Sequence, residues 1–215
     1  GSSTRDSLSV LKFIRDNSTA SPLAHLTCVS TTEADAKALV SEFLGEGIPN
    51  FLALMGDLPE GQTAMPPGTL SRADQLVRLI AGVRAAGLGQ TAVAAFPNGH
   101  PESVSDRTDI RALLSKQEAG ADFAITQLFF FTRDYLNFVE LARSRGVTME
   151  LIPGIMPIVS SGRLARVLEL TGEPRPEELA IRLERAGDAG ARRMPALSLL
   201  EMVQEIYRLI SAKIM

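Results

Sequence analysis

Phe51-Leu52-Ala53-Leu54-Met55-Gly56-Asp57 is a short apolar run that ends on a glycine and a carboxylate. Three other stretches end on polar groups in the same way: Ala24-His25-Leu26-Thr27-Cys28, Ala94-Ala95-Phe96-Pro97-Asn98-Gly99-His100-Pro101 and Ala124-Ile125-Thr126-Gln127-Leu128-Phe129-Phe130. A strand buried on both faces of a parallel sheet reads as a continuous hydrophobic run. In a β/α barrel the chemistry gathers where such strands end, on the carboxyl face. Several strands that each deliver a polar group to that rim point to an enzyme.

Between these runs the apolar spacing becomes helical. Leu8, Leu11 and Ile14 share one face of a helix over 7–17, with Val10 and Phe13 widening the stripe. Thr31 to Asp35 supplies a cap for a helix that runs to Gly45 or Gly47. Further helices are predicted over 72–86, 106–119 and 132–145, and strands over 23–29, 51–56, 91–96, 123–130 and 149–153. The segment 58–70, rich in proline and glycine, is a long loop of the kind that serves as a lid over a site. From 163 to 215 the chain reads as helical, broken at Gly172-Glu173-Pro174 and near Met194-Pro195.

Five strand–helix units in succession imply a parallel sheet with right-handed crossovers. An open doubly wound sheet and part of a (β/α)8 TIM barrel both fit. The dinucleotide fingerprint G-x-G-x-x-G follows none of the strands, which weighs against the doubly wound reading. A barrel closes with eight strands, so this chain is expected to hold one barrel domain, 1–215, incomplete at both ends.

At 215 residues and 45% hydrophobic, the chain has enough apolar material for one sizeable core. Its net charge of -3, with both signs interspersed, offers no basic face to nucleic acid or to anionic lipid. The lone cysteine, Cys28, falls in a predicted strand and reads as a packing thiol in a reducing compartment. No apolar run approaches the roughly 20 residues of a membrane helix, and no signal peptide is expected. A cytoplasmic protein is the expectation; homo-oligomerisation is left open. The histidines, His25 and His100, lie on separate strands without a local carboxylate partner, so no metal is expected.

The residues carry a resemblance to the methylenetetrahydrofolate reductase family. Its bearers are 1–6, Ala24-His25-Leu26-Thr27-Cys28, Leu52-Ala53-Leu54-Met55-Gly56-Asp57, 94–102, Ala119-Gly120-Ala121-Asp122, Ile125-Thr126-Gln127-Leu128-Phe129-Phe130 and Ile152-Pro153-Gly154-Ile155-Met156-Pro157. They stand in the family's order at about its spacing. The resemblance implies a (β/α)8 barrel whose third to seventh strands are present here, with the first two and the eighth outside the sequence. It places a suspected hidden junction at 192–196. It also implies reduction of 5,10-methylenetetrahydrofolate to 5-methyltetrahydrofolate by NAD(P)H, in the family usually through bound FAD. The runner-up is a degenerate member that binds folate or a partner without turnover. An unrelated barrel lyase would need a glycine-rich phosphate nest after the last strands and a Schiff-base lysine at a strand end, and Lys116 falls on a helix.

Carried over residue by residue, the resemblance makes Asp57 the carboxylate that stabilises a folate iminium cation, with Gly56 allowing close backbone approach. Without it, a loop aspartate that caps the next segment fits as well. Gln127 is expected at the amide edge of the pterin, and Phe129 against the substrate. His25, Phe96, His100, Asp109 and Lys116, with Gly56 and Asp57, are expected at the cofactor. The departures are Met55 for an arginine, Phe96 for a tyrosine, Ala112 for an asparagine, Ser115 for an arginine and Phe131 for an aspartate; the family's folate-side phenylalanine falls on or near Gly162. Each lost charge-assisted bond costs about 1.5–3 kcal/mol, so losing two weakens FAD by roughly a hundredfold or more. The sequence therefore implies weak or absent FAD and direct use of NADH. The family's general acid lies outside the chain, and Glu102 is the nearest carboxylate after a matching motif.

Overall fold

The structure is a computed structural model and describes residues 4–58, 61–62, 64–100, 106–191 and 204. The opening motif at 1–3, Glu102 and the suspected junction at 192–196 lie outside the described residues. Strands and helices alternate as α1 (Thr4–Asn17), β1 (Ala24–Thr27), α2 (Glu33–Gly45), β2 (Phe51–Leu54), α3 (Ala73–Val83), β3 (Thr91–Ala95), α4 (Asp106–Glu118), β4 (Phe123–Thr126), α5 (Thr132–Ser144), β5 (Glu150–Ile152), α6 (Ser161–Thr171) and α7 (Glu177–Ala191). The strands form one sheet in the order β1-β2-β3-β4-β5, so each neighbour in sequence is a neighbour in space. β1 with β2, β2 with β3, and β4 with β5 pair in parallel.

Internal contacts divide the chain into two compact units. The first comprises Gly1–Ala95, Ile110–Ile125 and Gly146–Ile152, and the second Phe96–Asp109, Thr126–Arg145 and Pro153–Met215. In the first unit, β1 alternates buried Ala24 and Leu26 with exposed His25 and Thr27. Register pairs Ala24 with Phe51, His25 with Leu52, Leu26 with Ala53 and Thr27 with Leu54. Phe51 meets Phe43 of α2 edge-on, with ring centroids 6.3 Å apart, so the face of Ala24, Leu26, Phe51 and Ala53 is covered by helix. His25 and Thr27 belong to the opposite face, because side chains alternate along a strand. Val40 and Phe43 of α2, and Leu76, Val77 and Ile80 of α3, complete the core. Each such side chain contributes about 1.5–3 kcal/mol when fully buried. Thr32 caps α2 as the sequence foretold, its Oγ1 accepting the Asp35 N–H at 3.1 Å.

Three side chains stitch the amino ends of the strands. Asn50 Oδ1 accepts the Gln90 N–H at 2.9 Å just before β3. Asp122 Oδ2 accepts the Thr91 N–H at 2.6 Å, and the Arg84 guanidinium lies 3.7 Å from the same oxygen. Gln117 Oε1 accepts from Thr148 and Met149 N–H at 2.7 and 2.9 Å, which seats the start of β5. Contacts at the amino face of a barrel sheet serve stability, whereas the carboxyl face is where loops are spent on function.

The second unit is helical and loop-rich. Leu128, Ile158, Leu164, Val167, Ala180 and Leu183 form one core cluster; Phe129 and Tyr135 form another, with Leu136, Val139 and Ile155 against them. Ser160 caps α6 by accepting the Arg163 N–H at 3.1 Å, and Gly172 ends it in the left-handed conformation at φ 69°. The break predicted at Gly172-Glu173-Pro174 is therefore a helix stop of the usual glycine kind.

One element is shorter than its hydrophobic run. The strand expected over 123–130 ends at Thr126. Gln127 Oε1 turns back to accept the Leu128 N–H at 3.0 Å, and the phenylalanines beyond it fill the second unit's cores.

Replacing Asp122 with alanine removes the acceptor from the buried Thr91 N–H, a loss of about 1–3 kcal/mol for an orphaned buried donor. Urea unfolding of Asp122→Ala is expected to show that loss, and Asp122→Asn, which keeps an acceptor, a smaller one.

Candidate functional site

In the first unit the site is built where β1 and β2 stop. The Met55 carbonyl takes both the Cys28 and Val29 N–H groups at 3.1 Å, closing the ladder past its last paired residues. Gly56 then adopts φ +80°, a left-handed conformation that favours glycine. A Cβ there would lie 3.0 Å from Thr27 Cβ and 3.1 Å from Val29 Cγ2. Glycine is thus needed twice over, for the turn and for the close approach to β1. Asp57 follows at once and is exposed.

The loop after Asp57 is tethered at its far end. Thr69 forms an antiparallel bridge with Thr32, and the Leu70 N–H donates to the Thr31 carbonyl at 2.9 Å. Beside that anchor Ser30 holds φ 56°, a left-handed serine whose cost is about 1–2 kcal/mol. Its turn is closed by the Thr31 N–H to the Cys28 carbonyl at 3.0 Å. Cys28 itself is buried, and burial pushes its thiol up to about 11. It is a packing residue held as the thiol, as its sequence setting implied. Lys116 Nζ donates to the Ala94 carbonyl at 2.8 Å, so one of its contacts secures the end of β3 from α4.

In the second unit the expected residues of the 96–100 segment are drawn into a tight turn. The Gly99 N–H donates to the Phe96 carbonyl at 3.2 Å, and the His100 N–H donates to Asp109 Oδ2 at 3.2 Å. The Phe96 and His100 rings stack edge to face with centroids 4.6 Å apart. These three predicted residues are therefore brought together, with Asp109 holding the backbone of the turn. Gln127 is half-buried directly after β4. The preceding Thr126 hydroxyl accepts the Gly154 N–H at 2.8 Å, and a Cβ on Gly154 would run into the Thr126 carbonyl oxygen. This clamp docks the 153–157 segment beside Gln127.

Phe129 departs from its expected place. It is 1% exposed and stacks on Tyr135 with centroids 5.4 Å apart and planes 17° apart, so in this chain it serves the core. Phe130 and Phe131 are the half-buried members of the run, and the Arg133 guanidinium lies over the Phe131 ring at 4.7 Å.

Sequence reasoning missed a further polar cluster in this unit. Asn98 Nδ2 donates to Glu173 Oε2 at 2.8 Å, and the same amide favours the charged form of the Asp134 carboxyl. Burial raises both carboxyls above their usual range; for Glu173 the neighbouring charge of Asp134 adds to the rise. A raised folded-state pKa means that the folded chain holds these protons more tightly than the unfolded chain, so the pair costs stability as pH rises through those values. No local sequence signal links Asn98 to Glu173; only the fold does.

The residues at the positions that the family resemblance assigns to a flavin suit it poorly. Met55 and Ala112 carry no donor, and Ser115 offers one hydroxyl. Asp109 and Lys116 are engaged within their own units. Among the described residues, no group of three or more His, Cys, Asp or Glu is placed to hold a metal ion, and no helix is long and apolar enough to cross a membrane.

Comparison with known proteins bears on both fold and family. A family model described as methylenetetrahydrofolate reductase matches residues 1–212. The 5,10-methylenetetrahydrofolate reductase of Salmonella typhimurium is 32% identical over 202 residues, 93% of this chain and 66% of the relative. A probable methylenetetrahydrofolate reductase (NADPH) from Caenorhabditis elegans is 35% identical over 75% of this chain and 24% of the relative. A probable methylenetetrahydrofolate reductase (NADH) from Oryza sativa is 32% identical over 86% and 33%. The chain thus spans at most 66% of the length of these relatives. Among solved structures, an uncharacterised Clostridium thermocellum protein that binds two copies of 5-methyl-5,6,7,8-tetrahydrofolic acid matches with TM-score 0.57 at 14% identity, over 89% of this chain and 62% of that one. At that identity the likeness speaks for the fold, a β/α barrel arrangement.

Gly56→Ala tests the geometry that places Asp57. The left-handed backbone and the contacts with Thr27 and Val29 lead to an expected loss of about 1–3 kcal/mol, read by thermal unfolding. Gly61→Ala, also at positive φ but with open space around its Cβ, carries the backbone strain alone and is expected to cost about 1–2 kcal/mol, less than Gly56→Ala.

Proposed function

Because the chain belongs to the methylenetetrahydrofolate reductase family, we propose that it reduces 5,10-methylenetetrahydrofolate to 5-methyltetrahydrofolate with a nicotinamide hydride donor, NADH in the first instance. The observation that carries the reading is the exposed carboxylate of Asp57, set at the end of β2 by a glycine whose left-handed backbone and close neighbours make any larger residue costly. The folate ligand of the Clostridium thermocellum neighbour supports a reduced folate as the substrate class.

The chemistry follows from the substrate. Opening of the five-membered ring breaks the bond from the methylene carbon to one nitrogen and leaves an iminium cation on the other. Hydride from C4 of the nicotinamide ring adds to that carbon and gives the methyl group; the released nitrogen takes a proton, and NADH leaves as NAD+. Asp57 acts on the cation. A unit charge at about 4 Å is stabilised by about 4 kcal/mol at the effective dielectric of a site near the surface. The stabilisation grows as the bound pterin expels water from the carboxylate. Gln127, which carries an acceptor and two donors, matches the amide edge of the pterin. Phe96 and His100 form the wall assigned to the cofactor.

FAD is the family's usual intermediary, and the residues here do not suit it. Met55, Phe96 and Ala112 give no hydrogen-bond donor, and Asp109 is occupied with the His100 backbone. We therefore assign hydride transfer directly from the nicotinamide to the folate. Cytoplasmic location is part of the same proposal, since the substrates are there.

Two measurements check this reading. Asp57→Asn is expected to lower kcat with NADH and methylenetetrahydrofolate by about 10²–10³-fold, the usual scale for removal of one electrostatic group from a transition state, with stability unchanged because the side chain is exposed. Freshly purified protein is expected to be colourless and active. Flavin bound at one per chain would overturn the assignment of direct transfer, and a colourless, inactive protein would favour a folate binder without turnover.

A further inference from the structure

Asn98 sits in the turn between Phe96 and His100, and its amide reaches carboxylates from two distant parts of the chain. Nδ2 donates to Glu173 Oε2 at 2.8 Å across 75 residues of sequence, and the same amide favours the charged form of the Asp134 carboxyl. Each carboxylate is fixed by its own helix end. Asp134 lies in the first turn of α5, where its N–H donates to the Phe131 carbonyl at 3.0 Å and the Arg133 guanidinium stands 3.8 Å away. Glu173 follows Gly172, whose N–H returns to the Leu168 carbonyl at 2.9 Å to close α6. The Glu173 N–H donates in turn to Thr171 Oγ1 at 3.4 Å.

Within the turn, the bonds from Gly99 to Phe96 and from His100 to Asp109 are both 3.2 Å, at the long end for N–H···O. The Asn98 amide is the shortest tether the segment has among these. Two half-buried carboxylates side by side are a poor choice for stability alone. Violations of that kind concentrate where function requires them.

We infer that Glu173, acting through Asn98, is a positioning residue that holds the 96–100 turn, and with it the Phe96 and His100 rings, in the geometry that receives the nicotinamide donor. The consequence for the donor rests on the reading given above; the positioning of the turn does not. Glu173 touches no reacting atom in this account. Its oxygen sets where Asn98 stands, and Asn98 sets the arc of backbone between the two rings.

The test uses the full chain with Glu173→Ala, Glu173→Gln and Asn98→Ala, the last an exposed site where loss of folding is not expected. Hydrogen exchange at the 96–100 amides reports the turn, and steady-state kinetics with NADH and methylenetetrahydrofolate report the donor. In Glu173→Ala and Asn98→Ala, exchange at His100 is expected to quicken by about tenfold, the scale of one lost hydrogen bond. KM for NADH is expected to rise about five- to tenfold with kcat within about twofold, the pattern of lost uniform binding. Glu173→Gln keeps an oxygen that accepts from Asn98 and is expected to restore both. Unchanged exchange across 96–100 in Glu173→Ala and Asn98→Ala overturns the inference. Faster exchange with unchanged KM upholds the positioning role and instead removes the turn from the donor site.

Discussion

The parallel ladder is the constraint on which the rest depends. Since β1 to β5 pair in the order of the sequence and in parallel, consecutive strands run the same way, and the residues that follow each one start from its carboxyl end. Asp57 follows β2, Phe96 follows β3, Gln127 follows β4 and Pro153 follows β5. Amino ends are stitched by Asn50, Asp122 and Gln117, whose partners are backbone N–H groups of a neighbouring strand or its lead-in. Side chains that fasten the scaffold and side chains available for chemistry are thereby separated along each strand.

Much of this was legible in the sequence, for a physical reason. Buried strands need continuous apolar runs, and α/β alternation needs turn residues between them, so strand positions and order could be read directly. The Thr32 cap and the stop at Gly172 were visible because capping chemistry is local. Strand ends were not. The run through Phe130 looked like one strand, but its hydrophobicity serves two purposes: a ladder as far as Thr126, and core packing by Leu128 and Phe129 after it. Apolar periodicity does not distinguish the two.

The candidate site divides in the same way. Gly56 was legible as the glycine that ends an apolar run, and the contacts of a Cβ there give its physical cause; Asp57, which from position alone read equally well as a capping aspartate, is exposed. The roles of Asp109 and Lys116 were less so. Both were assigned to a cofactor, and the structure shows one holding the His100 backbone and the other the Ala94 carbonyl. Phe129 was expected against substrate and lies in the core. The Asn98, Asp134 and Glu173 cluster was invisible, since its members are far apart in sequence and none belongs to a local motif. Polar residues at the carboxyl ends are therefore of two kinds, those that shape loops and those left exposed for a ligand, and only coordinates sort them.

The account's central claim is that hydride passes straight from nicotinamide to folate at a site whose flavin contacts have been replaced. NADH carrying deuterium at its transferring C4 position, with methylenetetrahydrofolate in ordinary water, tests this most directly. Direct transfer predicts one deuterium in every new methyl group, because hydrogen on carbon does not exchange with water. Solvent hydrogen in the methyl group at the expense of deuterium would contradict it, since it would require a carrier whose N–H exchanges with water before the second transfer.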